Sequence, residues 1–239
     1  MKLPEHERQA HREAFAAMSL PQKAGYVFAY YKLPLVLAAL VIVALGSVLN
    51  YRLNHKEPVL YVGLTNVAVT EETEAQLGAG FLDALGANPR KSEVYLYSDL
   101  YLVDPEDSMD HQYSYASRLK VMASTTAQEL DVVLMSKQAY DLLSHSGYLL
   151  DLGTVASQLP AGATDLVQSN DVIVRDNEVE YELGEAEEYE ADTILVDNAL
   201  DLSGTTAFNG LSDTVYLGII GNTPRLDTAL ELVAYLLET

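Results

Sequence analysis

Nineteen consecutive uncharged residues, Leu33 to Tyr51 (LPLVLAALVIVALGSVLNY), constrain this chain more than any other stretch. As a helix they reach roughly 28 Å at about 1.5 Å per residue, close to the hydrocarbon thickness of a bilayer. A buried core helix usually keeps a polar stripe, whereas this run is apolar on every side. The run predicts a transmembrane helix over 33–51. It is preceded by a tail and interfacial segment, 1–32, and followed by a linker, 52–58, and an acidic domain, 59–239.

Charge gives the span a direction. Lys2, Arg8, Arg12, Lys23 and Lys32 precede it and only Arg52 and Lys56 follow closely, an excess that places the N-terminus in the cytoplasm. Beyond Lys56 the balance inverts, with seven of the chain's 14 Lys and Arg against 32 of its 35 Asp and Glu, a net charge of −25. Such a domain is repelled by anionic lipid and nucleic acid alike, so no nucleic-acid partner is expected. Tyr26, Phe28, Tyr30 and Tyr31 before the span suit an interfacial aromatic belt. A cleavable signal peptide is the competing reading, with Ala44-Leu45-Gly46 as a small-residue site. Its charged region and apolar run would both be long for a signal. The sequence has no cysteine, which excludes disulfides, thiolate metal sites and a cysteine-linked lipid.

After the linker, apolar runs alternate with helical stripes. Val59–Leu64 reads as a buried strand, and Thr70 caps a helix with Leu77, Phe81, Leu82 and Leu85 inward and Gly86 at its end. Val94–Tyr97 and Leu100–Val103 read as strand-like runs. They are followed by a helix over about 113–127 with Ala116, Leu119, Ala123 and Ala127 on one face. Asp131–Met135 is a strand, and Ser136 caps the next helix. This order predicts an α/β fold with a mostly parallel sheet, since each parallel crossover needs a helix. Residues 172–174, 179–183 and 193–196 read as an inserted antiparallel ribbon, the first two runs joined by a turn at Asp176-Asn177. Val215–Ile220 is a further buried strand, and Thr223-Pro224 opens a last helix.

Two blocks carry a resemblance. LDVVLMSKQAYDLLSHSGYLLDL (Leu130 to Leu152) resembles a strand, helix and exit segment of type II periplasmic solute-binding proteins. TVYLGIIGNTPRLDTALELVAYLL (Thr214 to Leu237) resembles their returning strand, Asn-centred loop and late helix. The resemblance implies an extracytoplasmic domain of solute-binding type. Those proteins have two lobes, while only 183 residues follow Lys56 here, so it implies a single-lobe form tethered by an N-terminal helix.

In an open parallel sheet, ligands sit beyond the carboxyl ends of the strands. Thr65, Asn66, Ser98, Asp99, Ser136 and Asn222 occupy such ends and are the candidate ligand residues; Ser136 as a helix cap and Asn222 as a turn residue are the plainer readings. Asp104, Glu106, Asp107 and Asp110 form an acidic loop, with Asp104, Asp107 and Asp110 as cation-ligand candidates, though the spacing is not that of an EF-hand. A solvated acidic face is the plainer reading there and for the eight acids between Glu178 and Asp192. The sequence has no HExxH, Walker lysine motif or GxSxG elbow, so no catalytic residue and no cofactor is assigned. The leading expectation is a non-catalytic binding or interaction module at the outer face of a bacterial membrane, with a membrane-complex protein or a small solute as partner. A surface enzyme and a small-solute sensor are the alternatives.

Overall fold

The computed structural model describes residues 15–30, 32–103, 112–175, 192–208 and 214–238. The chain divides into two units, Met1–His55 and Lys56–Thr239.

The first unit contains helices α1 (Leu20–Tyr30) and α2 (Lys32–Asn54). At the start of α1, Gln22 Oε1 accepts from the Ser19 backbone N–H at 3.0 Å, the return half of a capping box, and Pro21 in the first turn sacrifices no helical bond. Within α2 the segment Lys32–Arg52 is long and apolar enough to cross a membrane, by length and composition, with a mean hydropathy of 2.4 and none of it buried.

The second unit is an α/β sandwich around a six-stranded mixed sheet. Strand β1 (Glu57–Thr65) leads through a helical segment, α3 (71–84), to β2 (Ser92–Leu100). Helix α4 (Gln112–Thr126), β3 (Val132–Met135) and α5 (Lys137–His145) follow. Two short 3-10 segments, Leu152–Gln158 and Ala163–Leu166, precede β4 (Val167–Arg175) and β5 (Asp192–Asp201). Last come β6 (Tyr216–Ile219) and α6 (Leu226–Glu238). The strand order is β2-β1-β3-β6-β5-β4.

The expectation of a mostly parallel sheet is corrected. β1 is parallel to β2 and β3, but β3–β6, β6–β5 and β5–β4 are all antiparallel. α3 and α4 supply the crossovers for the parallel pairs. Between β5 and β6 the described chain has only a 3-10 turn, Thr206–Phe208, too little to carry a crossover. The expected ribbon is present as β4 and β5, with Val172 opposite Ile194 and Ile173 opposite Thr193. It continues the sheet through Leu200, which is paired with Leu217, rather than standing as an insertion. The proposed run 179–183 and the turn at Asp176-Asn177 lie outside the described residues. The two strand-like runs 94–97 and 100–103 are one strand that ends at Leu100.

Alternation along the strands builds two apolar layers. Leu60, Val62, Leu64, Val132, Leu134, Leu217 and Ile219 face Leu77 and Phe81 of α3 and Ala229, Leu230, Val233 and Leu236 of α6. Val133 and Met135 face Val121 of α4 and Ala139, Tyr140 and Leu143 of α5. With both faces covered, the central strands are apolar without a polar alternate, which is why they read as continuous runs. Gly218 is closely approached: a Cβ at this position would stand 2.7 Å from Leu149 Cδ2 and 2.8 Å from Met135 Cε, so the ends of both side chains would have to shift to admit one.

α4 turns the other way from its expected face. Ser114, Ser117, Val121, Ser124 and Thr125 are buried, while Ala116, Leu119 and Ala123 are exposed. Its inner face is set by hydrogen bonding and small volume: the Ser117 hydroxyl accepts from the Tyr101 N–H at 3.0 Å, a bond an alanine could not make.

Candidate functional site

The carboxyl ends of β1, β2 and β3 open into a cleft of about 800 Å³. Asn66, Ser98, Asp99 and Ser136 line it together with Glu74, Tyr101, Lys137 and Gln138. Local chemistry sets each element. Between the pairs Gly63–Tyr97 and Thr65–Leu100, β2 holds one residue more than β1, a bulge that leaves Ser98 and Asp99 exposed at the rim. Ser136 ends β3, its N–H bonded to Thr65 O at 3.1 Å, and its hydroxyl caps α5 by accepting from Ala139 N–H at 3.4 Å. Lys137 follows it, ion-paired with Asp141 and 5.2 Å from the Tyr140 ring centroid.

Asn66 shapes the opposite wall. It adopts φ 51°, the left-handed region that Asn tolerates better than other non-glycine residues. Its Oδ1 accepts from Leu102 N–H at 2.8 Å and Val103 N–H at 3.1 Å, and its Nδ2 donates to Val103 O at 2.8 Å. The side chain therefore spends most of its hydrogen bonds on the chain leaving β2. Arg118 assists from α4, donating to Leu102 O from Nη2 at 3.1 Å. Asn66 thus positions the cleft wall, while Ser98, Asp99, Glu74 and Gln138 line the open cleft.

Two of the six candidates stand elsewhere. Thr65 is fully buried, and its hydroxyl has no hydrogen-bond partner among the described residues. Asn222 lies at the other end of the sheet, because β6, expected to run with β1, is antiparallel to its neighbour β3. There Asn222 Nδ2 donates to Thr125 O at 2.8 Å, and its carbonyl accepts from Gln128 Nε2 at 3.2 Å.

That end is closed by a polar clasp around Asp131, which is fully buried just before β3. Its carboxylate accepts from Tyr61 N–H at 2.8 Å, from the Thr223 hydroxyl, and from Arg225 Nη1 at 3.0 and 3.2 Å. The Arg225 guanidinium lies 4.8 Å from the Tyr61 ring centroid. Burial, with Glu129 adding, raises the pKa of the Tyr61 hydroxyl above the usual phenol value.

A second buried polar network joins α5 to the ribbon. Tyr140 donates its hydroxyl to Asn198 Oδ1 at 2.8 Å, Asn198 Nδ2 donates to Ser144 Oγ at 2.8 Å, and Ser144 Oγ donates to Asp171 O at 2.9 Å. Burial pushes the Tyr140 pKa well above the phenol range, with the Asp141 charge adding to the effect.

The cation candidates Asp104, Asp107 and Asp110 lie outside the described residues. Among the described residues no three His, Asp or Glu side chains gather to hold a metal ion. Sequence reasoning missed Ser117, Arg118 and Asp131. The first two sit mid-helix with no motif around them, and Asp131 opens an apolar strand, where a lone acid at a run's edge signals nothing until its partners arrive from 92 and 94 residues away. Compared with known protein families, with characterised proteins and with solved structures, the chain matches none.

Proposed function

We propose that this chain is a membrane-anchored, non-catalytic binding module whose acidic domain, resembling one lobe of a type II solute-binding protein, takes a small polar solute in the cleft beyond β1, β2 and β3. The observation that carries the reading is the convergence there of Asn66, Ser98, Asp99 and Ser136 with Glu74, Lys137 and Gln138, on a volume of about 800 Å³. A cleft of that size falls within the range of small-molecule sites, and its polar groups provide both acceptors and donors. The unburied apolar segment Lys32–Arg52 supplies the anchor, and the basic tail before it favours an inside N-terminus with the domain outside. A tethered single lobe encloses no solute by clamshell closure, so a second protein in the membrane completes the site or receives the solute.

The test uses the purified full chain in detergent micelles, screened by thermal unfolding against amino acids, sugars, small peptides and polyamines. A ligand at a hundred times its Kd adds about 2.7 kcal/mol, a rise of a few degrees. The cleft-blocking substitution Ala68→Trp, at an exposed lining position, abolishes the shift without lowering the unligated midpoint. Shifts that survive Ala68→Trp, or release of the chain from membranes by alkaline carbonate, overturn the reading.

A further inference from the structure

We propose that the cleft beyond β1, β2 and β3 selects a small organic cation, an ammonium or guanidinium group carried on an aliphatic body; the inference rests on the reading of that cleft as a solute site. What carries it is a half-buried carboxylate that no cation of the described chain meets. Helix α3 opens with three acids, Glu71, Glu72 and Glu74. Glu71 and Glu72 are exposed, where they suit the positive end of the helix dipole, whereas Glu74 is half-buried and lines the cleft. Among the described residues Glu74 makes no ion pair. A carboxylate drawn partly out of water without a partner is costly, and a cation brought by a ligand offsets that cost.

The neighbouring charges point the same way. Asp99, exposed at the rim, is a second carboxylate of the lining, and the basic group of the lining is Lys137. Lys137 is ion-paired with Asp141, which also accepts from Asn170 Nδ2 at 2.6 Å, so that pair brings no net charge. Lys120 shares a shallower groove with Asp99, its ammonium 4.8 Å from the Tyr97 ring centroid. It offsets Asp99 at most, and Glu74 stays unmatched. The stretches that continue the chain from Val103 and lead into Thr214, 104–111 and 209–213, lie outside the described residues. By sequence they hold five Asp and Glu and no Lys or Arg, so they add acid and no fixed cation.

The rest of the lining favours an organic ion over an inorganic one. Leu64, Val67, Val69 and Leu100 give the cleft apolar surface, and Tyr101, 50% exposed, adds a ring of the kind that attracts ammonium and guanidinium groups. A bare divalent ion wants about six to eight oxygen ligands and gains nothing from such surface. Among the described residues no three acidic or His side chains gather to supply them. An anion would meet two carboxylates on a domain whose net charge of −25 already repels it. A neutral solute leaves Glu74 unpaired.

The test keeps the body of the probe constant and changes its charge. The full chain in detergent micelles is titrated calorimetrically with cadaverine, its diol counterpart and glutarate, which end the same five-carbon chain in ammonium, hydroxyl and carboxylate groups. Agmatine serves as the guanidinium probe and calcium as the inorganic one. Cadaverine or agmatine binds saturably, and the other three do not. Glu74→Gln weakens the cation at least about tenfold, the loss of one charge-assisted hydrogen bond. Glu231→Gln, the same change of charge at an exposed position of α6 outside the lining, alters it by less than about twofold. Equal weakening in the two variants overturns the proposal as general attraction to an acidic domain, and calcium binding that Glu74→Gln removes overturns it in favour of an inorganic ion. Binding of the diol or glutarate that Ala68→Trp abolishes overturns the charge selection and leaves the solute site standing. Silence from both cations overturns the proposal alone; silence from every solute of the wider screen overturns the solute reading with it.

Discussion

The two ends of the sheet handle their polar groups in opposite ways. At the parallel end, Ser98, Asp99, Glu74 and Gln138 face an open cleft; at the other, Asp131, Arg225, Thr223 and the Tyr61 N–H consume one another's hydrogen bonds. Two asparagines make the contrast concrete. Asn66 holds the cleft wall in a left-handed conformation, and Asn222 ties a turn to the end of α4. Polar residues closed on each other are spent on holding the fold, and polar residues left open keep their hydrogen bonds for water or a bound molecule.

The largest effect that could break this contrast is at the clasp. Asp131→Ala takes the carboxylate from Arg225, whose side chain is only 27% exposed and keeps its bond to Gln128 O, and leaves the Tyr61 N–H without its acceptor. The expected loss is about 3–5 kcal/mol, read as a lower urea midpoint for the full chain in micelles. A loss below about 1 kcal/mol would mean the clasp is decoration.

At the cleft, Asn66→Ala removes three hydrogen bonds and places alanine at φ 51°, with an expected loss of about 2–3 kcal/mol together with loss of any cleft ligand. Asn66→Gly relieves the backbone but restores no bond, so it should regain part of the stability and none of the binding. Recovery of binding in the glycine variant would show that the wall needs only the turn.

Between the ends, Tyr140 gives a pH signature. Its pKa is raised by burial, so the folded state keeps a proton that the unfolded chain releases near pH 10. Its contribution is intact below that pH and is lost as the pH rises above it. Tyr140→Phe, costing about 1 kcal/mol at neutral pH through the bond to Asn198, should flatten the alkaline fall; an unchanged slope in denaturation between pH 9 and 11 would assign that fall to the other tyrosines.

The smallest expected change is a gain. Thr65 and Thr125 each bury a hydroxyl without a partner among the described residues, one near each end of the sheet. Replacing either with valine keeps the shape and removes the unsatisfied group, for a gain of up to about 1 kcal/mol. Retention of cleft binding in Thr65→Val would complete the removal of Thr65 from the candidate ligand residues.

Some features follow from the sequence alone because their causes are local. The apolar stretch at 33–51 needs no partner to declare itself, Thr70 and Ser136 cap their helices through bonds that span three residues, and Gly86 and Gly147 take the positive φ that ends each one. The α/β class followed from the alternation of apolar runs and stripes, and four of the six residues named by the rule for strand ends line one cleft. Direction did not. Tyr216–Ile219 is as apolar read parallel as antiparallel, and only its pairing with Val132–Met135 moved Asn222 from one end of the sheet to the other. The inner face of α4 was hidden for the same reason: serines become a packing surface only when a strand brings Tyr101 N–H to Ser117. Short-range hydrogen bonds and hydropathy are written residue by residue, whereas strand direction, buried polar partners and the closing of Asp131 on Arg225 depend on groups far apart in the chain, which only the assembled fold brings within reach.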